Sequence, residues 1–189
     1  MKRSLITLAL TAALLAPALA QVDVAKSSVP QGFPSVIVAI SKQMGVPVEG
    51  KFKRFTAQIS FDPAKPAEGK ASVDIDIASF DLGADDFNRE TVKPEWFNAA
   101  KFPKATFVTS AIKPAGAGKF EAAGKLTIKG ITRDVVAPVS FKAEGGQQVF
   151  EGVLPIKRLA FNIGEGAWKD TSTVADDVQI RFRIVTARK

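Results

Sequence analysis

Among its 189 residues the chain has no cysteine, no histidine and no tyrosine. Each absence removes chemistry. Without histidine there is no Ser-His-Asp or Cys-His nucleophile, no imidazole base near neutral pH and no His-ligated metal, so the sequence offers no metal site. Without cysteine there are no disulfides, thiolate metal sites or iron-sulfur clusters, and no thiol to carry a lipid or other covalent cofactor. Stability must therefore come from packing. No run of five like charges marks a nucleic-acid arm, and no nucleic-acid partner is expected.

What is present begins with a segment unlike the rest. Lys2-Arg3 gives a positive start, Ser4 to Leu15 an apolar run, and Ala18-Leu19-Ala20 a small-residue cleavage signature. This pattern predicts a secretory signal peptide over residues 1–20, cleaved after Ala20, and hence a periplasmic mature protein. The apolar run is too short to span a bilayer as a helix. Removing Lys2 and Arg3 lowers the formal net charge from +7 to +5. That mild excess suits weak, salt-sensitive attraction to an anionic membrane surface or head group, at about 1 kcal/mol per nearby Lys or Arg.

Residues 21–189 are expected to form one domain, because no linker or repeat divides them. They read as strand after strand with period-2 alternation. Val178 to Ile184 alternates without a break, and so do Phe55 to Phe61 and Val73 to Ile77. Ala105–Ile112, Phe120–Ile128, Val135–Phe141, Val149–Ile156 and a less regular Val36–Met44 bring the expected number to eight. Only Asp85 to Lys93 looks helical, with Asp85 or Asp86 available as a cap and Pro94 as a stop. The fold class is all-β and antiparallel with one short helix, and alternation alone leaves sandwich and barrel open. A membrane barrel would carry aromatic girdles, which a chain with no Tyr and two Trp lacks.

Paired carboxylates are the remaining enzymatic option. Asp74/Asp76 lie on the polar side of a strand, Asp85/Asp86 suit a helix start and Asp176/Asp177 suit a turn, so the reading is not an enzyme. Gly164-Glu165-Gly166 lacks the lysine and helix of a phosphate loop and reads as a turn. Lys51, Lys53, Arg54, Lys157 and Arg158 form the basic set suited to an anionic head group, or else a solvated strand face. Fourteen Phe beside no Tyr supply ring surface with no hydroxyl to satisfy. That suits a dry interior, whether a core or a cavity.

Glu95-Trp96-Phe97-Asn98-Ala99-Ala100-Lys101-Phe102-Pro103-Lys104-Ala105-Thr106-Phe107 resembles a stretch of the YceI-like family of polyisoprenoid-binding periplasmic proteins. The likeness continues in order through Gly50-Lys51-Phe52, Phe61-Asp62-Pro63, Val73 to Leu82, Gly124 to Val135, Arg158 to Gly164 and Asp177 to Ile180. It implies a lipocalin-like barrel of eight antiparallel strands with an elongated apolar cavity, for transport or storage of a polyisoprenoid, an isoprenoid quinone or a similar amphiphile. Phe55, Ile75, Phe107, Leu126, Phe141 and Phe182 are then the expected cavity residues, and Trp96, Phe97 and Trp168 the expected rim. Many relatives place a histidine before the first long strand, and Ser35 to Met44 contains none. Pro155 to Leu159 and Gly164 to Asp170 resemble the endings of relatives that occur beside membrane cytochromes of the b561 type. The alternative role is accordingly a non-catalytic accessory of such a membrane redox system.

Overall fold

The structure is a computed structural model that describes residues 35–187; the expected signal peptide lies outside them. Ten strands form one antiparallel sheet: β1 (Val36–Gln43), β2 (Val46–Phe52), β3 (Phe55–Ser60), β4 (Lys70–Asp76), β5 (Phe80–Asp81), β6 (Lys104–Gly116), β7 (Lys119–Ile128), β8 (Ile131–Glu144), β9 (Gln147–Lys157) and β10 (Asp177–Ala187). The spatial order is β3-β4-β6-β7-β8-β9-β10-β1-β2-β5. β2 and β3 stand near opposite margins of that order, yet only Lys53 and Arg54 separate them in sequence. The sheet must therefore curl until its margins meet at this corner. Backbone bonds pin it there: Lys53 N–H donates to Ser79 O, and Asp76 N–H to Arg54 O. The result is a curled, partly closed barrel.

All eight expected strands occur, but the expected total is corrected to ten. β2 is the addition of consequence. Pro47 and Gly50 disguise it in sequence, but it pairs with β1 from Gln43↔Val46 to Val38↔Lys51. β5 is only two residues long and too short to carry a period. The helix α1 (Asp85–Thr91) also differs slightly from expectation: Ala84 occupies the cap position, and Asp85 and Asp86 lie in the first turn, where a carboxylate favours the helix dipole.

Local chemistry sets the turns. Ile128 pairs with Ile131 across Lys129-Gly130, both at positive φ (50° and 75°), the two-residue turn whose twist matches a hairpin. Lys129 tolerates that conformation because its ammonium is anchored, donating to Asn162 O and to Glu165 Oε2, each at 2.7 Å. In β6 the pairing slips between Thr109 and Ala111. The inward set therefore changes phase at Ser110, from Ala105, Phe107 and Thr109 to Ile112.

Candidate functional site

The inward face of the curled sheet encloses a cavity of about 420 Å³. Its wall follows the alternation: Ile37 and Ala39 from β1, Ala71, Val73 and Ile75 from β4, Ala122 and Leu126 from β7, Ile180 and Phe182 from β10. Several of these side chains point inward and are still only half-buried, among them Ala39, Ala71, Ile75, Phe107, Ile180 and Phe182. A filled core would bury them fully, so the interior has space that the protein's own side chains leave open.

Two features keep that space. Small residues occupy inward positions at Ala39, Ala71, Ala105, Ala122 and Ala137. Three inward positions are glycine, and an aromatic ring lies over each: Phe80 on Gly50, Phe107 on Gly124 and Phe182 on Gly152. A Cβ at any of the three would collide with that ring, so the glycines let the rings lie against the wall and leave the centre free.

The two ends of the barrel differ. At the end carrying the β6–β7 and β8–β9 turns, Phe61 packs edge-on against Phe120 (4.9 Å between centroids), Phe141 (5.2 Å) and Phe150 (5.7 Å). Gln148 donates to Phe61 O and ties this plug to β9. The opposite end is partly roofed: Phe102 lies on Gly130, Phe161 and Ile163 are buried beneath, and the Trp96 ring lies tilted against Trp168 at 5.3 Å between centroids. An opening remains beside the β1–β2 turn and α1, because Gln43 and Phe87 line the cavity and are also exposed to solvent.

Of the expected cavity residues, Ile75, Phe107, Leu126 and Phe182 line the hollow. Phe141 instead belongs to the aromatic plug, and Phe55 packs on the core at the β2–β3 corner; neither lines the cavity. All three expected rim residues, Trp96, Phe97 and Trp168, line it.

The basic set requires correction. Lys53, Arg54 and Lys157 sit outside the cavity wall and pair with Asp81, Asp76 and Asp177. The Lys53 ammonium, with help from Asn88, holds the Asp81 carboxyl well below the usual carboxylate range, and the Asp177 carboxylate raises Lys157. Lys51 is exposed on the outward phase of β2. Arg158 is 2% exposed and spends all of its N–H groups on backbone carbonyls. Nε donates to Ala175, Nη1 to Ile163 and Gly164, and Nη2 to Trp168 and Val174. Burial pushes its pKa down, with Asp176 opposing. Arg158 therefore ties the 163–175 segment together and has no donor left for a ligand.

The polar groups facing the hollow are few, and besides Arg158 they include Glu90, paired with Lys93, and the Trp96 indole N–H, which is buried with no hydrogen-bond partner among the described residues. Thr109 Oγ1 exchanges hydrogen bonds with Ala71, and Thr91 Oγ1 donates to Asn88 O. Ser41 and Gln43 line the wall near the opening with no side-chain bond among the described residues. Residues missed in sequence include Ile37, Ala39, Ser41 and Gln43, although their i, i+2 spacing on β1 is the signal that would have found them. No group of three or more His, Cys, Asp or Glu side chains among the described residues could hold a metal ion.

Comparison with known proteins agrees with this architecture. The model of the YceI-like domain matches residues 21–186. Burkholderia cenocepacia BcnA is 56% identical and superimposes with a TM-score of 0.80, covering 81% of this chain and 96% of that one. A UPF0312 protein of Ectopseudomonas mendocina is 31% identical over 146 residues, 74% of each chain. A polyisoprenoid-binding domain from Saccharophagus degradans, implicated in plant cell wall breakdown, shares the fold at 16% identity, with a TM-score of 0.64 over 82% of this chain and 94% of that one. With its family model spanning nearly all of the described strands and a close structural counterpart in BcnA, the chain belongs to the YceI-like family.

Proposed function

We propose that the protein is a non-catalytic periplasmic carrier, exported by residues 1–20, that encloses the apolar tail of one isoprenoid lipid for transport or storage. The observation that carries this reading is the 420 Å³ apolar hollow, plugged at one end and open at the other. An apolar cavity of about 150 Å³ accommodates a benzene ring, so this one has room for roughly seventeen carbons. At about 0.8 kcal/mol per CH₂, burying them is worth on the order of 13 kcal/mol relative to water. Water is therefore no competitor, and the bilayer is. Because tail burial nearly cancels between protein and membrane, selectivity falls to cavity shape and to the few polar groups at the opening. The polyisoprenoid-binding relative supports the choice of tail.

The polar groups also favour a head group. Arg158 is committed to carbonyls, the other cations of the basic set lie outside, Ser41 and Gln43 are neutral, and the one lining carboxylate among the described residues, Glu90, would repel an anion. A neutral oxygen-bearing head, such as an alcohol or a quinone carbonyl, matches them better than a diphosphate does. Native mass spectrometry of the protein purified without detergent tests both parts. The expected result is a one-to-one lipid adduct, replaced by added prenyl alcohol or quinone and not by prenyl diphosphate. A bare chain that takes up none of the three would refute the carrier reading.

A further inference from the structure

The opening of the cavity is ringed by side chains that neither packing nor turn chemistry explains. Met44 is 75% exposed, Val46 62% and Phe87 61%. Met44 is the most telling. It forms the β1–β2 turn with Gly45, at φ 47° and 79°, where asparagine or glycine is the stable choice and a long apolar side chain is unfavourable. It buries nothing at that tip. The tip is nonetheless firmly placed, since Met44 N–H donates to Thr173 O at 2.8 Å and Ala175 N–H to Lys42 O. Phe87 is exposed on α1 and also lines the cavity, so the apolar surface runs unbroken from outside into the hollow.

We propose that this rim, Met44, Val46 and Phe87, docks on the surface of a lipid bilayer, so that a tail passes between membrane and cavity without crossing water. The proposal rests on the carrier reading and supplies its means of exchange. Three features favour a bilayer over a protein partner. Three apolar side chains are far fewer than the roughly 20–30 residues a stable protein interface engages on each side, but they suffice for shallow insertion at a headgroup boundary. The rim also coincides with the opening, where a tail must enter. Exposed Lys42 and Lys169 flank it; of the α1 carboxylates, Asp86 and Glu90 are each held by a cation three residues on, Arg89 and Lys93, and only Asp85 has no ion pair among the described residues. The edge thus suits anionic headgroups.

The test uses vesicles of phosphatidylethanolamine and phosphatidylglycerol, and the double variant Met44→Asn/Val46→Thr, which leaves the cavity-lining Phe87 in place. Asparagine suits the positive φ of the turn, so the variant should melt no lower than the wild type. The expected result is at least a tenfold loss of vesicle binding and of the rate at which a fluorescent prenyl alcohol moves between vesicle populations. Binding of the same alcohol in solution should be unchanged. Wild-type binding and transfer by the variant would overturn the proposal. So would sedimentation showing that the rim instead joins two copies of the chain. If the wild type binds vesicles but no prenyl alcohol, the carrier reading fails and docking stands; if it binds the alcohol but not vesicles, docking fails and the carrier stands.

Discussion

Ala71→Phe distinguishes a hollow from a core. Ala71 lies on β4, opposite Ile59 of β3, with its side chain toward the cavity and only half-buried. Its backbone N–H and C=O are already bonded to Thr109, and a larger side chain leaves those bonds alone. A phenyl group needs on the order of 150 Å³, about a third of the 420 Å³ available. It should leave room for roughly eleven of seventeen carbons, so that a fifteen-carbon tail loses about four, about 3 kcal/mol, or between two and three decades of affinity. The ligand must be short enough to lie wholly inside, since a longer tail can slide outward; farnesol, with fifteen carbons, meets that need. Isothermal titration and thermal melting are read on the same preparation. The expected outcome is that farnesol binding is nearly lost while Tm holds or rises, because the new ring fills vacant apolar space. In a solid core the same substitution would overpack, cost about 1–3 kcal/mol and lower Tm by several degrees. A lower Tm with unchanged farnesol binding would refute the reasoning. Ala39→Phe, on the β1 wall, should behave in the same way.

Three further outcomes follow from particular contacts. Arg158→Met strands five backbone carbonyls at about 1–3 kcal/mol for each that water cannot reach, and should lower Tm by about 10 °C or more in a melting scan; an unchanged Tm would show that the 163–175 segment does not depend on the guanidinium. The three atoms nearest a Cβ at Gly50 all belong to the Phe80 ring, so the loss of about 1–3 kcal/mol from Gly50→Ala should be largely relieved in Gly50→Ala/Phe80→Leu, and a double-mutant cycle with no coupling would be the contrary result. The Lys129 ammonium depresses the pKa of Glu165 in the folded state from its ordinary 4.5. Stability from that carboxylate is therefore present above about pH 4.5 and is lost as pH falls through its lowered titration. Glu165→Gln should accordingly flatten the acid limb of a Tm-against-pH profile, and a limb as steep as the wild type's would count against the pairing.

Much of the wall was legible in sequence because alternation is a local property. Val178 to Ile184 carries its inward set on its face, and the structure keeps Val178, Ile180, Phe182 and Ile184 toward the hollow. β2 was hidden because Pro47 and Gly50 look like punctuation; here Gly50 is an inward position that makes room for Phe80. The bulge at Ser110 shifts the phase of β6, a change visible only in the pairing with β7. The basic set failed for another reason. Charge along a chain does not reveal which cations face outward carboxylates, or that the five carbonyls around Arg158 come from residues 163 to 175. The hollow itself was the least legible feature, because it depends on small residues from separate strands facing one another across the curled sheet.

The most direct measurement is a crystal structure of the protein grown with farnesol. The account predicts continuous density for the tail between Ala39, Ala71, Phe107 and Phe182, with the hydroxyl at the Ser41 and Gln43 end. An interior closed by its own side chains, with the alcohol on the outer surface or absent, would contradict it.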